Sequence, residues 1–379
     1  MRSPNPANGA IVILREAMNE FNLNQESLAC LLGRAQPVIS GIFTGKRAIS
    51  PELAVELESA FRGKFTAEKL LALQAEHFVA NIRRSGKNQE ILLKTRLGEE
   101  FPILEMEKRG WIPKGSTLQE KVSNALKFAR CSSDLDQIVP PFQSMALARQ
   151  SPNLGYLSPT SRNSRTWQYR VRELAGITPA KEYCAERFET ECLPKLRKLV
   201  RTMKGVAEVP QILAQFGVRL VFVAHLEKTK LDGAAVWLDV EKTQPVIALT
   251  LRFGTLDTVW FNLAHEIIHI VKRHEISVDL EGDDEKPDDL RVIEEEANAG
   301  AAEWLIPQSR FRAFVERRMG KFSRESILAF AEIVDVHPAV LVGMLQFKGI
   351  IPRSVLNDLK PQVRKYILLA AISDGFDDT

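Results

Sequence analysis

Two histidines four residues apart, with a glutamate directly after the first, stand at His265, Glu266 and His269 in the stretch TVWFNLAHEIIHIVKRH. Residues four apart on a helix share a face, so both imidazoles can grip one metal ion. Glu266 lies beside them, where a carboxylate can take a proton from water attacking a substrate carbonyl. The spacing suits a zinc (Zn2+) hydrolase. The competing reading is a pair of satisfied core histidines on an apolar helix.

A catalytic zinc needs a third protein ligand and an open fourth position. The downstream run Glu294-Glu295-Glu296-Ala297-Asn298 can supply that ligand. Glu294 and Asn298 are four apart and share a face. That lets Glu294 ligate the metal while Asn298 bonds a ligand histidine from behind. Glu295 reads as a solvated acid near a helix start, where the dipole favours carboxylates. Helix phase is soft across three consecutive glutamates, so Glu296 is the alternative third ligand. His274 is expected off the ligand face and at the surface. For His225 and His337 the sequence names no partner.

These side chains need a frame. The pattern predicts short strands at residues 218–224, 234–240 and 246–251, rich in β-branched or aromatic residues. A long apolar helix over about 256–272 follows and carries the histidines. An acidic loop then leads to a helix over about 290–304 that ends before Pro307, and residues 323–371 read as helical. The 246–251 strand is the candidate sheet edge on which a peptide substrate would add a strand.

A second set of residues points to DNA. Helices are expected at 11–21, 25–32 (stopped by Gly33) and 36–43 (stopped by Gly45). A fourth starts at Pro51 with Ser50 as its cap, and a fifth spans 66–84. The second and third helices with the tight turn at Gly33 are the parts of a helix-turn-helix. Ala29 is small, as a close crossing needs, and Leu28, Leu31, Leu32, Val38, Ile39 and Ile42 supply apolar faces. The third helix would enter the major groove with Gln36, Ser40 and Thr44 outward, Gln36 being able to bond adenine bidentately. Gln25, Arg34, Lys46 and Arg47 sit where phosphate contacts are usual. Pro37 is tolerated in the first turn but removes one backbone donor. The competing reading is a small helical bundle for protein contacts.

The rest of the chain carries less chemistry. The segment SGKNQ after Arg84 reads as a linker, and residues 90–205 as mostly helical with a loop-rich patch at 151–165. The basic run KLRKLVR at 195–201 reads as a solvated helix face. With 379 residues, 45% hydrophobic and 26% charged, the chain is long enough for two or three ordinary domains. A net charge of +3 means that any nucleic-acid contact comes from a local patch. Cys30, Cys131, Cys184 and Cys192 lack paired metal-site spacing and read as idle thiols. The N-terminus has no apolar signal core and no apolar run reaches spanning length, so a soluble, cytoplasmic protein without membrane contact is expected.

The run QESLACLLGRAQPVISGIFTGKRAISPELAVELE resembles the lambda-repressor-like (XRE) helix-turn-helix family, closest to its HigA-type antitoxin branch. Five ordered blocks, VPQILAQFGVRLV, LDGAAVWLD, PVIALTLRF, WFNLAHEIIHIV and EEEANAGAAEWLIP, resemble the ImmA/IrrE metallopeptidase family. That resemblance implies a zincin-like (gluzincin) domain with His265, His269 and Glu294 as zinc ligands and Glu266 as general base. The family often has glycine at the position of Ile268 and phenylalanine at that of Gly300, so this chain departs from it at both. The similarity to a fused regulator extends through LAFAEIVDVHPAVLVGMLQFKG.

The expected architecture is α+β and mostly helical. A helix-turn-helix bundle occupies 1–84, a helical connecting region 85–205, a zincin-like domain with a small sheet 206–312, and C-terminal helices 313–379. The resemblance implies a transcriptional regulator with a zinc-dependent metalloendopeptidase domain, acting in stress, mobile-element or toxin–antitoxin control. Its expected partners are operator DNA, a protein substrate such as a repressor or toxin encoded nearby, and a second copy of itself. The alternative is an antitoxin or repressor whose peptidase-like domain is a non-proteolytic sensor or scaffold.

Overall fold

A computed structural model describes residues 8–83, 86–131, 134, 135, 138, 141, 142, 159–227, 229, 231–250, 252–274, 277–280 and 288–375. The chain divides into two compact units, residues 1–95 and 96–379.

The first unit is helical: α1 (Gly9–Glu20), α2 (Gln25–Leu31), α3 (Gln36–Phe43), α4 (Pro51–Ala60) and α5 (Ala67–Arg83). Local chemistry sets the boundaries. The Asn24 side chain accepts from the Ser27 amide at 2.7 Å and caps α2. Gly33, at φ 61°, makes the left-handed turn between α2 and α3. Ser50 caps α4, which opens with Pro51. Leu14, Leu28, Ile39, Leu57, Phe61 and Leu70 are buried at the centre of this bundle. Leu31, expected on an apolar face, is 58% exposed instead, because it lies one residue before the helix cap and turns outward.

The expected SGKNQ linker is a correction. Helix α6 (Gly86–Glu100) begins within it, so Gly86–Gln89 are helical. A polar sequence resembled a loop, but Lys87 and Gln89 are good helix formers and Gly86 stands at the first helical position, outside the interior where glycine costs most.

The second unit adds α7 (Ile103–Lys108), α8 (Leu118–Phe128), α9 (Pro159–Ile177), α10 (Leu193–Leu199) and α11 (Val209–Gln215). Helix α9 overwrites the C-terminal end of the expected loop-rich patch, from Pro159 onward. Residues 151–158 of that patch lie outside the described residues. The basic 195–201 run forms α10 and the turn after it. There Arg197 donates to the backbone oxygens of Val334 and Asp335 at 2.7 Å each, so it is a structural tie rather than a solvated face.

A mixed five-stranded sheet follows: β1 (Arg219–Phe222), β2 (Leu231–Trp237), β3 (Pro245–Leu249), β4 (Ser277–Leu280) and β5 (Ile372–Ser373), in the order β4-β2-β3-β1-β5. β3 is parallel to β1 and antiparallel to β2. β4 pairs antiparallel with β2, and β5 pairs parallel with β1. The 246–251 strand, expected at an edge, is therefore central, with both flanks paired and every residue of β3 buried. Its unbroken apolar run is the pattern of a strand covered on both faces. β2 ends at Trp237, short of the expected Val240, because the Asp239 carboxylate accepts from the Thr243 and Gln244 amides and turns the chain.

Helix α12 (Leu256–Val271) packs against β2 and β3, and α13 (Asp288–Leu305) packs against α12. The C-terminal stretch, expected to be helical, is α14 (Gln308–Arg318), α15 (Arg324–Ile333), α16 (Pro338–Phe347) and α17 (Arg364–Leu368), with irregular chain between α16 and α17. One buried cluster runs from Phe188 to Ile367, so these helices share the core that supports α12. Among the described residues no single helix is long and apolar enough to cross a membrane.

Candidate metal centre and DNA-facing surface

Helix α12 buries an apolar stripe of Trp260, Leu263, Ala264, Ile267 and Ile270, and that burial fixes the helix rotation. The rotation leaves His265, Glu266 and His269 inside, at 3%, 1% and 1% exposure. Helix α13 approaches through Ala297 and Ala301, both fully buried and small. That close approach brings Glu294 over the histidines.

The Nε2 atoms of His265 and His269 are 3.0 Å apart. Glu294 places Oε2 3.3 Å from His265 Nε2 and Oε1 3.8 Å from His269 Nε2. A tetrahedral zinc with bonds near 2.1 Å holds its ligand atoms about 3.4 Å apart. Two imidazoles and one carboxylate at these separations fit such an ion, and all three donor atoms lie within 4.8 Å of one another. Burial, with His265 adding repulsion, pushes the His269 imidazole down to about 3, so the ring is neutral and has a lone pair to offer.

The outer contacts sort the acidic run. Asn298 places Oδ1 3.1 Å from His265 Nδ1. Glu296 turns away from the histidine pair toward Lys272, at 2.6 Å, and its hydrogen bond to that lysine holds its carboxyl below the usual range. Glu295 is exposed. Glu294, not Glu296, faces the two histidines.

His274 is a correction. It is not a surface residue beyond the ligands: its side chain is 12% exposed, and its Nδ1 lies 2.8 Å from His269 Nδ1. Helix phase misplaced it because the helix ends first. Arg273 takes φ 55°, and the His274 amide then donates to the His269 oxygen at 3.0 Å, folding residue 274 back over the last turn. His337 also has a role, since its Nδ1 accepts from the Ala339 amide and caps α16.

Two neighbours tune the fit. A Cβ on Gly300 would meet three Ile268 side-chain carbons at 3.0–3.1 Å. Ile268 thus fills the space beside Gly300 across the α12–α13 contact. A Cβ on Gly233 of β2 would lie 2.6 Å from Glu266 Oε1. A glycine there lets the Glu266 carboxylate lie against the sheet.

In the first unit, Gln36, Thr44, Lys46 and Arg47 are exposed, while Gln25 and Ser40 are half-buried. The Thr44 hydroxyl donates to the Ser40 oxygen at 2.9 Å, closing the end of α3. Arg34, expected on phosphate, forms a forked contact with Glu56, its Nη2 2.7 Å from Oε1. Pro37 occupies the first turn of α3.

Comparison with known proteins bears on both units. A model of the IrrE N-terminal-like domain, a peptidase family, matches residues 213–332. A helix-turn-helix family model matches residues 14–66. Searches of curated proteins and of solved structures each returned no match. The chain therefore carries a helix-turn-helix segment that supports DNA binding, and a peptidase-like segment in which a possible His-His-Glu metal site is assembled.

Proposed function

We propose that this protein is a cytoplasmic DNA-binding transcriptional regulator whose second unit is a zinc-dependent, gluzincin-type metalloendopeptidase. The observation that carries this reading is the division of labour at the site. His265, His269 and Glu294 converge on one point, while Glu266, buried on the same helix, faces the sheet at Gly233, is not one of the three converging donors, and serves in proton transfer. The helix-turn-helix segment and the family likeness further support a role in stress, mobile-element or HigA-like toxin–antitoxin control, with a repressor or toxin as the protein cut. The regulator acts as a homodimer on paired half-sites.

Zinc bound by the three ligands would polarise a scissile carbonyl and acidify water. Glu266 takes the proton of the attacking water and returns it to the departing amine. Asn298 orients His265 from behind. A peptide strand adds to the sheet edge at β4, the outermost strand beside β2, rather than to the central β3.

Incubating the full-length protein and zinc with the proteins encoded beside it should give a discrete cleavage product that a chelator abolishes. Separately, the same protein should bind operator duplex, and Lys46→Ala or Arg47→Ala should weaken binding to all sequences and flatten its salt dependence. Absence of any cleavage would remove the peptidase reading, and absence of duplex binding at low salt the DNA reading.

Gly233→Ala should reduce cleavage roughly a hundredfold with zinc content unchanged. The new methyl displaces the Glu266 carboxylate by the order of an ångström, and misplacement on that scale costs about that much. Loss of zinc along with activity in this variant would show that the glycine supports the ligands instead.

A further inference from the structure

We propose that His274, held by Glu296 and Lys272, is a positioning residue that fixes ligand His269 as the tautomer presenting Nε2 to the metal. The inference rests on the metal-centre reading above.

A neutral imidazole has one N–H and one lone pair. If His269 offers its Nε2 lone pair to a metal, its proton sits on Nδ1. That nitrogen is 2.8 Å from His274 Nδ1, so His269 donates and His274 must accept. The His274 proton is then on Nε2, which faces Glu296 Oε2 at 3.6 Å. Glu296 is itself held by Lys272 Nζ at 2.6 Å. Each group has one compatible role, and the chain of contacts runs from Lys272 through Glu296 and His274 to His269.

The backbone supports this arrangement from two sides. The left-handed Arg273 folds His274 onto the last turn of α12. The His274 carbonyl accepts from Trp237 Nε1 at 3.0 Å, which ties it to β2. The two ligand histidines thus have different supports: an amide oxygen behind His265 and an imidazole behind His269.

The test is zinc affinity of the full-length protein, read by chelator competition, in the wild type and in His274→Ala, His274→Asn and Glu296→Gln. Removing such a support typically costs 10- to 100-fold in metal affinity. His274→Ala should lose that much. His274→Asn, which keeps an acceptor as Asn298 does for His265, should recover most of it. Glu296→Gln should show a smaller loss. Nitrogen NMR of the zinc-free protein should show His269 protonated at Nδ1 in the wild type and a mixture of tautomers in His274→Ala, a difference that a merely packing role would not set. Apo-protein melting curves identify any variant that fails to fold, and His274→Asn then carries the comparison. If the wild type binds zinc and the folded His274 variants bind it equally well, the inference is overturned while the metal centre stands. If the wild type binds no zinc, the metal-centre reading itself falls and this one with it.

Discussion

Replacing Glu266 by glutamine should leave zinc content and DNA binding near wild type while peptidase activity falls by roughly 100- to 10,000-fold, the usual share of general-base assistance. The side chain is 1% exposed, sits against Gly233 and is not one of the three converging donors. A near-isosteric amide therefore fits without moving the metal grip, but it cannot take up a proton. The readouts are bound metal, duplex affinity and peptide cleavage on one preparation. The same variant separates two biological readings. If cleavage is the regulatory event, the promoter should stay locked in one state despite normal DNA binding. A promoter that responds to its signal as in the wild type, with zinc verified, would instead favour a sensor or scaffold that does not use proteolysis.

Lys360→Met should destabilise the second unit by roughly 3 kcal/mol, the low end of what breaking a buried ion pair costs. Lys360 Nζ lies 2.8 Å from Asp257 Oδ2 and donates to Gln346 Oε1 at 2.9 Å. Asp257 is 7% exposed and stands in the first turn of α12, the helix that carries the histidines. Gly343 of α16 faces it so closely that a Cβ there would lie 2.6 Å from the carboxylate. Without the lysine, that buried charge loses its ion-pair partner and keeps the favourable helix N-terminus as compensation. The double variant Asp257→Leu, Lys360→Met should recover most of the loss, because well-packed apolar replacements of a buried pair are often neutral. Denaturant unfolding measures both. A single variant within about 1 kcal/mol of wild type would mean that the pair is effectively solvated.

Several features were legible in the residues alone because they depend on local spacing. Four-residue separation on a helix puts His265 and His269 on one face whatever surrounds them. The same rule pairs Glu294 with Asn298. Caps and stops at Gly33, Ser50 and Pro51 act through neighbouring backbone groups, so these boundaries in the first unit could be read without knowing the packing.

Other features depend on which distant segments meet. The 246–251 strand reads the same from sequence at an edge or at a centre. Its central place was decided by β2 and β1, which pair with its two edges, while β4 and β5 lie outside them, β5 more than a hundred residues later in the chain. Three consecutive glutamates differ only in helix rotation. The buried Ala297 and Ala301 set that rotation, sending Glu294 to the histidines and Glu296 to Lys272. His274 was misread because periodicity extrapolates a helix past its end, whereas one left-handed residue, Arg273, reverses the chain. Sequence spacing by itself thus determined the chemical kit: two imidazoles on one helix face, a carboxylate beside them, a downstream acidic run and a helix-turn-helix. Tertiary packing decided which carboxylate meets the imidazoles, which residues brace them and which strand is left at the edge, because each is a contact between segments whose relative rotation no local pattern encodes.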